Sequence, residues 1–264
     1  MALLAAEVEG RVARLTLTRP ERRNAMSLAM IEELAAALAD LASHPDVRVA
    51  VLAGEGPDFC AGADFADIEA VRTSPDLAGY GRSFEACLAA IEDHPVPVIA
   101  RVHGAALGAG CQLAVACDLA VAAEDARLGI PAARLGILIN FESVQRLVLA
   151  AGSKRAGEML LTGRMLSGVE AESWGVVNEA VPPGELDERT DSLAEAVAGA
   201  APLSVRGAKR GIGIVRRSAS VDRGMEGGPA AGYDALVAEA FGSHDLGEGL
   251  AAFRERRRPE FGGR

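Results

Sequence analysis

The feature that most constrains this chain is a glycine-rich turn between an apolar strand and an apolar helix. Residues 96–102 read VPVIARV, which is typical of a strand, and residues 103–112 read HGAALGAGCQ, with glycine at 104, 108 and 110. The first N–H groups of a helix lack partners within it, and glycine lets a ligand approach the backbone. The pattern predicts a strand, a turn and a helix start suited to a negatively charged oxygen, although such glycines also occur in tight connections that bind nothing.

A second small-residue turn precedes the first one. Residues 58–65 read DFCAGADF and follow the alternating, strand-like run 47–53. The two turns in this order resemble the crotonase superfamily, also called the enoyl-CoA hydratase/isomerase family. The resemblance continues in RPERRNA at 19–25, EMLLTG at 158–163, AESWGVV at 171–177 and EGLAAF at 248–253. Because these motifs occur in family order over nearly the whole chain, the sequence is identified as a member of this family.

Length, charge and cysteine content narrow the class of protein. The chain has 264 residues, half of them hydrophobic, which is enough for one large α/β domain or two small ones. A formal net charge of -10 argues against nucleic-acid or anionic-membrane partners, but a phosphorylated cofactor could meet the basic cluster Arg254, Arg256, Arg257 and Arg258. We interpret the cysteines as reduced packing residues without metal-ligand spacing, at 60, 87, 111 and 117.

The N-terminus lacks a basic segment followed by an apolar one, and no apolar run reaches the roughly 18 residues needed to span a bilayer. We therefore expect a cytoplasmic protein that has no membrane partner.

Hydrophobic spacing predicts repeated strand and helix units in the first half of the chain. Strands are expected at 12–17, 47–53, 96–102 and 118–123, with helical stripes at 31–41 and 77–91. Ser153 and Ser167 are expected to cap helices and Pro202 to start another. Residues 224–229 interrupt a region that many members of the resembled family fill with continuous helix. The family resemblance implies a β-β-α spiral core over residues 1–200. It also implies a C-terminal helical oligomerisation region over 201–264 that closes trimers, often paired into hexamers.

The resemblance also implies the chemistry of the site. An acyl thioester gains negative charge on its carbonyl oxygen when it forms an enolate, and two fixed backbone N–H groups can stabilise that charge. By resemblance these donors are Ala63, in the first turn, and Ala109, in the second. Alanine in place of the family's frequent glycine keeps a backbone donor.

Coenzyme A is expected as part of the thioester substrate, with no tightly bound cofactor. The resemblance puts Arg23 and Ala61 at the coenzyme and brings Phe253 and Arg256, from a neighbouring subunit, near its adenosine end. Asp64 is a further candidate contact, although its place beside a turn also suits a structural role. The arginines could instead form a solvated helix face.

The acids of the family's hydratases are absent, because Gln112 and Ala132 match positions where those enzymes carry glutamate. Glutamine cannot shuttle a proton near pH 7, and alanine has no polar group. Some isomerases and dehalogenases have an aspartate matching Asn140, which is also an amide. Glu142, expected in an apolar loop, is either a general base with a raised pKa or a first-turn residue of a helix beginning at Ser143.

Three hypotheses follow for function. The first is an acyl-CoA lyase or isomerase that works through an enolate held by Ala63 and Ala109. The second is an acyl-CoA binding protein without catalysis, which the missing glutamates suggest, and the third is a decarboxylase or a hydrolase using ordered water. Asp118 and His103 are interpreted as structural.

Overall fold

The chain was analysed as a computed structural model, which describes residues 2–73, 79–218 and 233–262. Within these ranges the strands are β1 Leu4–Glu9, β2 Val12–Leu17, β3 Val49–Gly54, β4 Val98–Val102, β5 Ala105–Leu107, β6 Leu119–Ala123, β7 Arg127–Gly129, β8 Met165–Ser167 and β9 Glu179–Val181. The helices are α1 Leu28–Ala42, α2 Phe65–Thr73, α3 Gly79–Glu92, α4 Ala109–Ala116, α5 Phe141–Ala151, α6 Ser153–Thr162, α7 Gly168–Trp174, α8 Leu186–Gly199, α9 Pro202–Ser218, α10 Tyr233–Gly242 and α11 His244–Glu255. The strands and helical stripes predicted in the first half are confirmed within the described residues, and residues 77–78 of the second stripe lie outside them.

Two sheets carry the core. The larger has the strand order β1-β2-β3-β4-β6-β9, with β1 antiparallel to β2 and the other pairs parallel. The smaller has the order β5-β7-β8. β4 and β6 in the large sheet each pass directly into a strand of the small sheet and then a helix, which gives the predicted β-β-α spiral.

Helices cover both faces of the large sheet. Successive side chains of a strand point to opposite faces, and since those of the central parallel strands are mostly apolar on both faces, both faces must be covered. On β3, Val49 and Val51 pack with Ala194 and Ala198 of α8. The alternate residues of the strand belong to the main core, which also contains apolar side chains of α1 and α3.

The C-terminal helix α9 is tied to the core by one buried lysine. The Lys209 ammonium donates to the carbonyl oxygens of Ile91 and Val96, at 3.0 and 3.1 Å, and forms an ion pair with Asp118 at 2.7 Å. The Asp118 carboxylate also accepts from the Val98 N–H. The structural role predicted for Asp118 is thus explained, since it joins two strand ends to α9.

Local capping chemistry explains several helix boundaries. Ser167 and Glu170 form the predicted capping box, and α9 begins at Pro202 as predicted. The predicted cap at Ser153 is wrong, because the residue before α6 is Gly152 and Ser153 lies within the helix. Residues 224–229 lie outside the described residues. In the described ranges, no helix has the length and apolar character needed to cross a membrane.

Candidate active site

The two glycine turns lie directly against each other. Cys60 in the first turn forms a β-bridge with Ala106, donating to the Ala105 carbonyl at 2.9 Å and accepting from the Leu107 N–H at 3.0 Å. A side-chain carbon built on Gly108 would lie 3.7 Å from the Gly62 Cα. The long-range bridge therefore places two segments that are more than 40 residues apart at one site.

Glycine is required at the positions where the turns meet. Gly62 has φ of 129° and Gly108 has φ of 54° with ψ of -113°, conformations that residues with side chains rarely adopt. A Cβ on Gly110, the second residue of α4, would lie 2.1 Å from the Cys60 carbonyl oxygen. Close backbone contact, as well as turn geometry, therefore explains the glycine spacing.

Ala63 and Ala109 both present unpaired backbone donors at this junction. The neighbouring groups of the first turn are paired, since Met26 donates to Gly62 and accepts from the Asp64 N–H. Ala109 is the first residue of α4, where the N–H has no helical partner. Neither N–H donates a hydrogen bond to any described residue, so the junction offers two donors to a ligand oxygen.

Gln112 lies one helical turn beyond Ala109 and therefore on the same side of α4. Its side-chain oxygen accepts a hydrogen bond of 2.5 Å from the Ser143 hydroxyl. Ser143 is 2% exposed and belongs to α5, so this contact holds the start of α5 against the second turn.

Asn140 is the N-cap of α5, which corrects the expected helix start at Ser143. Its Oδ1 accepts from the Ser143 N–H at 3.1 Å, and its Nδ2 donates to Glu85 at 2.8 Å. Glu85 is also paired with Arg146, whose pKa is raised by hydrogen bonds to Glu85 and Glu92 despite the opposing effect of burial. The Asn140 amide therefore has a structural partner on each side.

Glu142 lies in the first turn of α5 and is half-buried. The expectation of an apolar loop at this position is wrong, because the helix begins at Phe141. A carboxylate in a first turn interacts favourably with the helix dipole, as the structural interpretation required. Its role as a base stays a prediction.

Arg23 and Ala61, the predicted coenzyme contacts, lie side by side. The Ala61 N–H donates to the Arg23 carbonyl at 2.9 Å. The Arg23 guanidinium forms a two-bond ion pair with Asp58, donating through Nε at 2.6 Å and Nη2 at 3.0 Å. This ion pair and a hydrogen bond from the Ala105 N–H hold the pKa of Asp58 below its usual value despite burial.

Asp64 has structural partners. Its carboxylate forms a 2.7 Å ion pair with Arg19 and accepts from the Ala66 N–H at the start of α2. These hydrogen bonds and the Arg19 charge hold its pKa below its usual value against the opposing effect of burial, which is the largest single influence. The contacts support the structural interpretation, and a coenzyme contact stays a prediction.

The C-terminal tail reaches the first turn within one chain. The Phe253 ring stacks on Phe65 with ring centres 4.7 Å apart, so this contact needs no neighbouring subunit. Arg254 pairs with Glu69, and Arg257 pairs with Glu248 and Glu255. Arg256 is the C-cap residue that follows α11, with φ of 55°, and its guanidinium has no ion-pair partner among the described residues.

Sequence reasoning missed Tyr80, Glu85 and Arg146. Tyr80 donates to the Met26 carbonyl at 2.8 Å and packs near Ala63, and burial raises its pKa. In the sequence, Tyr80 is one position of the predicted helical stripe 77–91, and nothing in that pattern marks it as a site residue. No sequence pattern connects Glu85 of α3 with Arg146 of α5, because the two residues lie 61 positions apart.

His103 and the four cysteines occupy partly or fully buried positions. His103 contacts Arg101 and the Gly56 carbonyl, which fits packing against the turn, and burial lowers its pKa. All four cysteines are buried free thiols. In the described part of the chain, no cluster of three or more His, Cys, Asp or Glu side chains could hold a metal ion.

A largely parallel sheet, a short second sheet and, at the junction of the two turns, two backbone N–H groups that pair with no described residue define a protein of the crotonase fold class. The sequence pattern of the enoyl-CoA hydratase/isomerase family matches residues 7–264. The chain therefore belongs to the enoyl-CoA hydratase/isomerase family.

The matches to individual relatives cover almost the whole length of both proteins. A provisionally named enoyl-CoA hydratase of Thermus thermophilus is 40% identical, covering 96% of this chain and 98% of the relative. The peroxisomal Delta(3,5)-Delta(2,4)-dienoyl-CoA isomerase of Arabidopsis thaliana is 32% identical, with coverage of 99% and 96%. A solved methylmalonyl-CoA decarboxylase superposes with a TM-score of 0.89 over 100% of this chain and 99% of that one, but at 24% identity it informs the fold alone.

Proposed function

We propose that this protein is an acyl-CoA enzyme that stabilises a thioester enolate with the backbone N–H groups of Ala63 and Ala109. The observation that carries the proposal is the pair of unpaired donors where the two turns meet. Preorganised donors lower the energy of a developing oxyanion because they need no reorientation during the reaction, and each is commonly worth about 3–4 kcal/mol.

Apolar groups near the first turn support an acyl ligand. Ala63, Tyr80 and Ile137 are partly buried and pack against the same small apolar cluster, which contains Ile68, Leu246 and Leu250. A hydrocarbon chain would remove apolar surface from water here, while the thioester oxygen would satisfy the two N–H groups.

The proposed reaction is isomerisation or another enolate reaction rather than ordinary hydration. Gln112 and Ala132 supply no carboxylate, and Asn140 is an amide committed to Ser143 and Glu85. Glu142, at the start of α5, is the proposed proton carrier. The mechanism assigns Gln112 to positioning, since its oxygen is bonded to Ser143.

The coenzyme is proposed to lie along Arg23 and Ala61, with its adenosine end near Phe253 and Arg256. The exposed Arg23 side chain supports this arrangement, as does Arg256, which has no ion-pair partner in the described part of the chain. We further propose a cytoplasmic trimer or hexamer. Leu203 and Ile212 on α9 are 80% and 53% exposed in the single chain, which supports a further subunit contact.

The test is exchange of the α-proton of butyryl-CoA for deuterium in D₂O, followed by NMR, because exchange reports enolate formation directly. We expect exchange with the unmodified protein and its loss in Glu142→Gln, with acyl-CoA binding retained. Exchange at an unchanged rate in Glu142→Gln would remove Glu142 from the mechanism.

A non-catalytic acyl-CoA binding protein is the second candidate. It is favoured by the amides Gln112 and Asn140, which replace acids and have structural hydrogen bonds. Binding across an acyl-CoA panel without exchange or turnover would support it over the enzyme.

A further inference from the structure

Asp58 lies beneath the second turn and is only 5% exposed. Its Oδ1 accepts from the Ala105 N–H at 2.7 Å and from Arg23 Nη2 at 3.0 Å, while its Oδ2 accepts from Arg23 Nε at 2.6 Å. A buried carboxylate is stable when it is paired and hydrogen-bonded, and Arg23 supplies the planar two-bond geometry that suits it.

The same residue joins three segments of the site. Its main-chain carbonyl accepts from Asn24 Nδ2 at 2.7 Å, and Asn24 Oδ1 accepts from the Arg19 N–H at 2.9 Å. Asp58 begins the turn that carries Ala63. Its bond to Ala105 reaches the strand that leads to Ala109, so one side chain connects both backbone donors.

The geometry at Gly104 shows how closely this connection is fitted. Gly104 has φ of 54°, and a Cβ there would lie 2.0 Å from the Pro57 carbonyl oxygen and 2.9 Å from Asp58 Oδ1. The second turn therefore approaches Asp58 without an intervening side chain. A rotation of the Asp58 carboxylate would move a hydrogen-bond partner of β5.

The Arg23 side chain is both bound to Asp58 and exposed to solvent. Its side chain is 59% exposed although its Nε and Nη2 are both bound to Asp58. Its carbonyl accepts the Ala61 N–H, and its backbone has φ of 54°. The inner edge of the guanidinium thus holds Asp58, while the outer edge faces away from it.

We propose that Asp58 is a positioning residue for the two backbone donors, and that Arg23 acts through it by keeping the carboxylate ionised and oriented. This rests on the proposed acyl-CoA function. Arg23 then has a role in carbonyl polarisation that is separate from any contact with a coenzyme phosphate. A misplacement of about 1 Å in such a site can reduce a rate on the order of 10²-fold.

The experiment measures the red shift of a chromophoric cinnamoyl-CoA on binding, which reports hydrogen bonding to the thioester carbonyl, together with the Kd of free CoA. Variants are Asp58→Asn, Asp58→Ala, Arg23→Ala and Arg23→Lys, with thermal unfolding recorded for each. Asp191→Asn is the matched control, because Asp191 pairs with Arg14 at 2.7 Å on the surface.

We expect Asp58→Ala and Arg23→Ala to lose at least half of the red shift at saturating ligand. Arg23→Lys should restore only part of it, because lysine keeps the positive charge but lacks the planar two-bond geometry. A purely structural role would lower the unfolding temperature without changing the shift of the bound ligand. If Asp58→Ala does not fold, Arg23→Ala, Arg23→Lys and Asp58→Asn carry the test.

The experiment distinguishes failure of the positioning role from failure of the proposed function. A full red shift in folded Asp58→Asn and Arg23→Ala overturns the positioning role while leaving the proposed function intact. Binding by the unmodified protein without any red shift overturns the proposed function itself, and with it the positioning role.

Discussion

Replacing Gly110 by alanine tests the contact that brings the two turns together. Gly110 and Gly157 are both helical glycines, in α4 and α6, and neither has a positive φ. A Cβ on Gly157 would meet no atom within 4 Å, whereas one on Gly110 would lie 2.1 Å from the Cys60 carbonyl oxygen. The pair therefore separates helix propensity from tertiary contact.

The expected effects have opposite signs. Gly157→Ala should raise the free energy of unfolding by about 0.5–1 kcal/mol, because alanine loses less conformational entropy in a helix. Gly110→Ala receives the same gain but must displace the Cys60 carbonyl by about 1 Å. Overpacking of this kind costs about 1–3 kcal/mol, and weakening the bond from the Leu107 N–H adds about 1 kcal/mol. We therefore expect a net loss of about 1–3 kcal/mol after the helix gain is subtracted.

Urea unfolding followed by circular dichroism gives both values, and the cinnamoyl-CoA red shift follows the donors in the folded protein. We expect Gly110→Ala to lower the urea midpoint and reduce the shift, and Gly157→Ala to raise the midpoint with an unchanged shift. The reasoning is refuted if Gly110→Ala gains as much stability as Gly157→Ala.

Four further predictions follow from named contacts. Lys209→Met should lower the free energy of unfolding by about 3–5 kcal/mol, because it leaves the buried Asp118 carboxylate without its ion-pair partner. Adding Asp118→Ala to this variant should recover part of the loss. Fully additive effects of the two substitutions on the free energy of unfolding would contradict the ion pair. Burial raises the pKa of the Cys60, Cys87 and Cys111 thiols to about 12, so the native protein should react with Ellman's reagent near pH 8 far more slowly than the urea-unfolded protein, and rapid native labelling would argue against this packing. The lowered pKa of Asp58 stabilises the fold above its unfolded value of 3.8, and this contribution is lost as the pH falls through the lower folded value; the urea midpoints of the unmodified protein and Asp58→Asn should converge on acidification, and a constant gap would be inconsistent with an ionised Asp58. Crotonyl-CoA hydration should be very weak beside Gln112→Glu/Ala132→Glu, because each missing acid or base is typically worth on the order of 10²–10⁴-fold; a rate for the unmodified protein equal to that of the double mutant would show that another residue activates water.

Much of the fold was predictable from near neighbours in the sequence. The strands and helical stripes follow from hydrophobic spacing, and the Ser167 capping box follows from a serine and a glutamate three positions apart. The family resemblance predicted the β-β-α spiral core, and the glycine spacing at 104, 108 and 110 marked the second turn. These features depend on backbone preference and side-chain periodicity, which act over a few residues.

Short-range patterns were less reliable at helix starts in the site. The helix carrying Glu142 begins one half-turn before the expected Ser143, because Asn140 can cap it once Glu85 fixes the amide. Asparagine and serine are both good capping residues, so the sequence alone does not choose between them.

Only the tertiary structure decided which polar side chains share a partner. Arg23 meets Asp58 across 35 positions, Ser143 meets Gln112 across 31, and Lys209 meets Asp118 across 91. Sheet order and helix packing bring these groups together, and the hydrophobic periodicity of a single segment does not predict such long-range pairs. The sequence by itself determined where the backbone turns and which faces are apolar, because those choices are local. The tertiary structure determined the ion pairs and hydrogen bonds around the two donors, because buried charges must find partners wherever the fold places them.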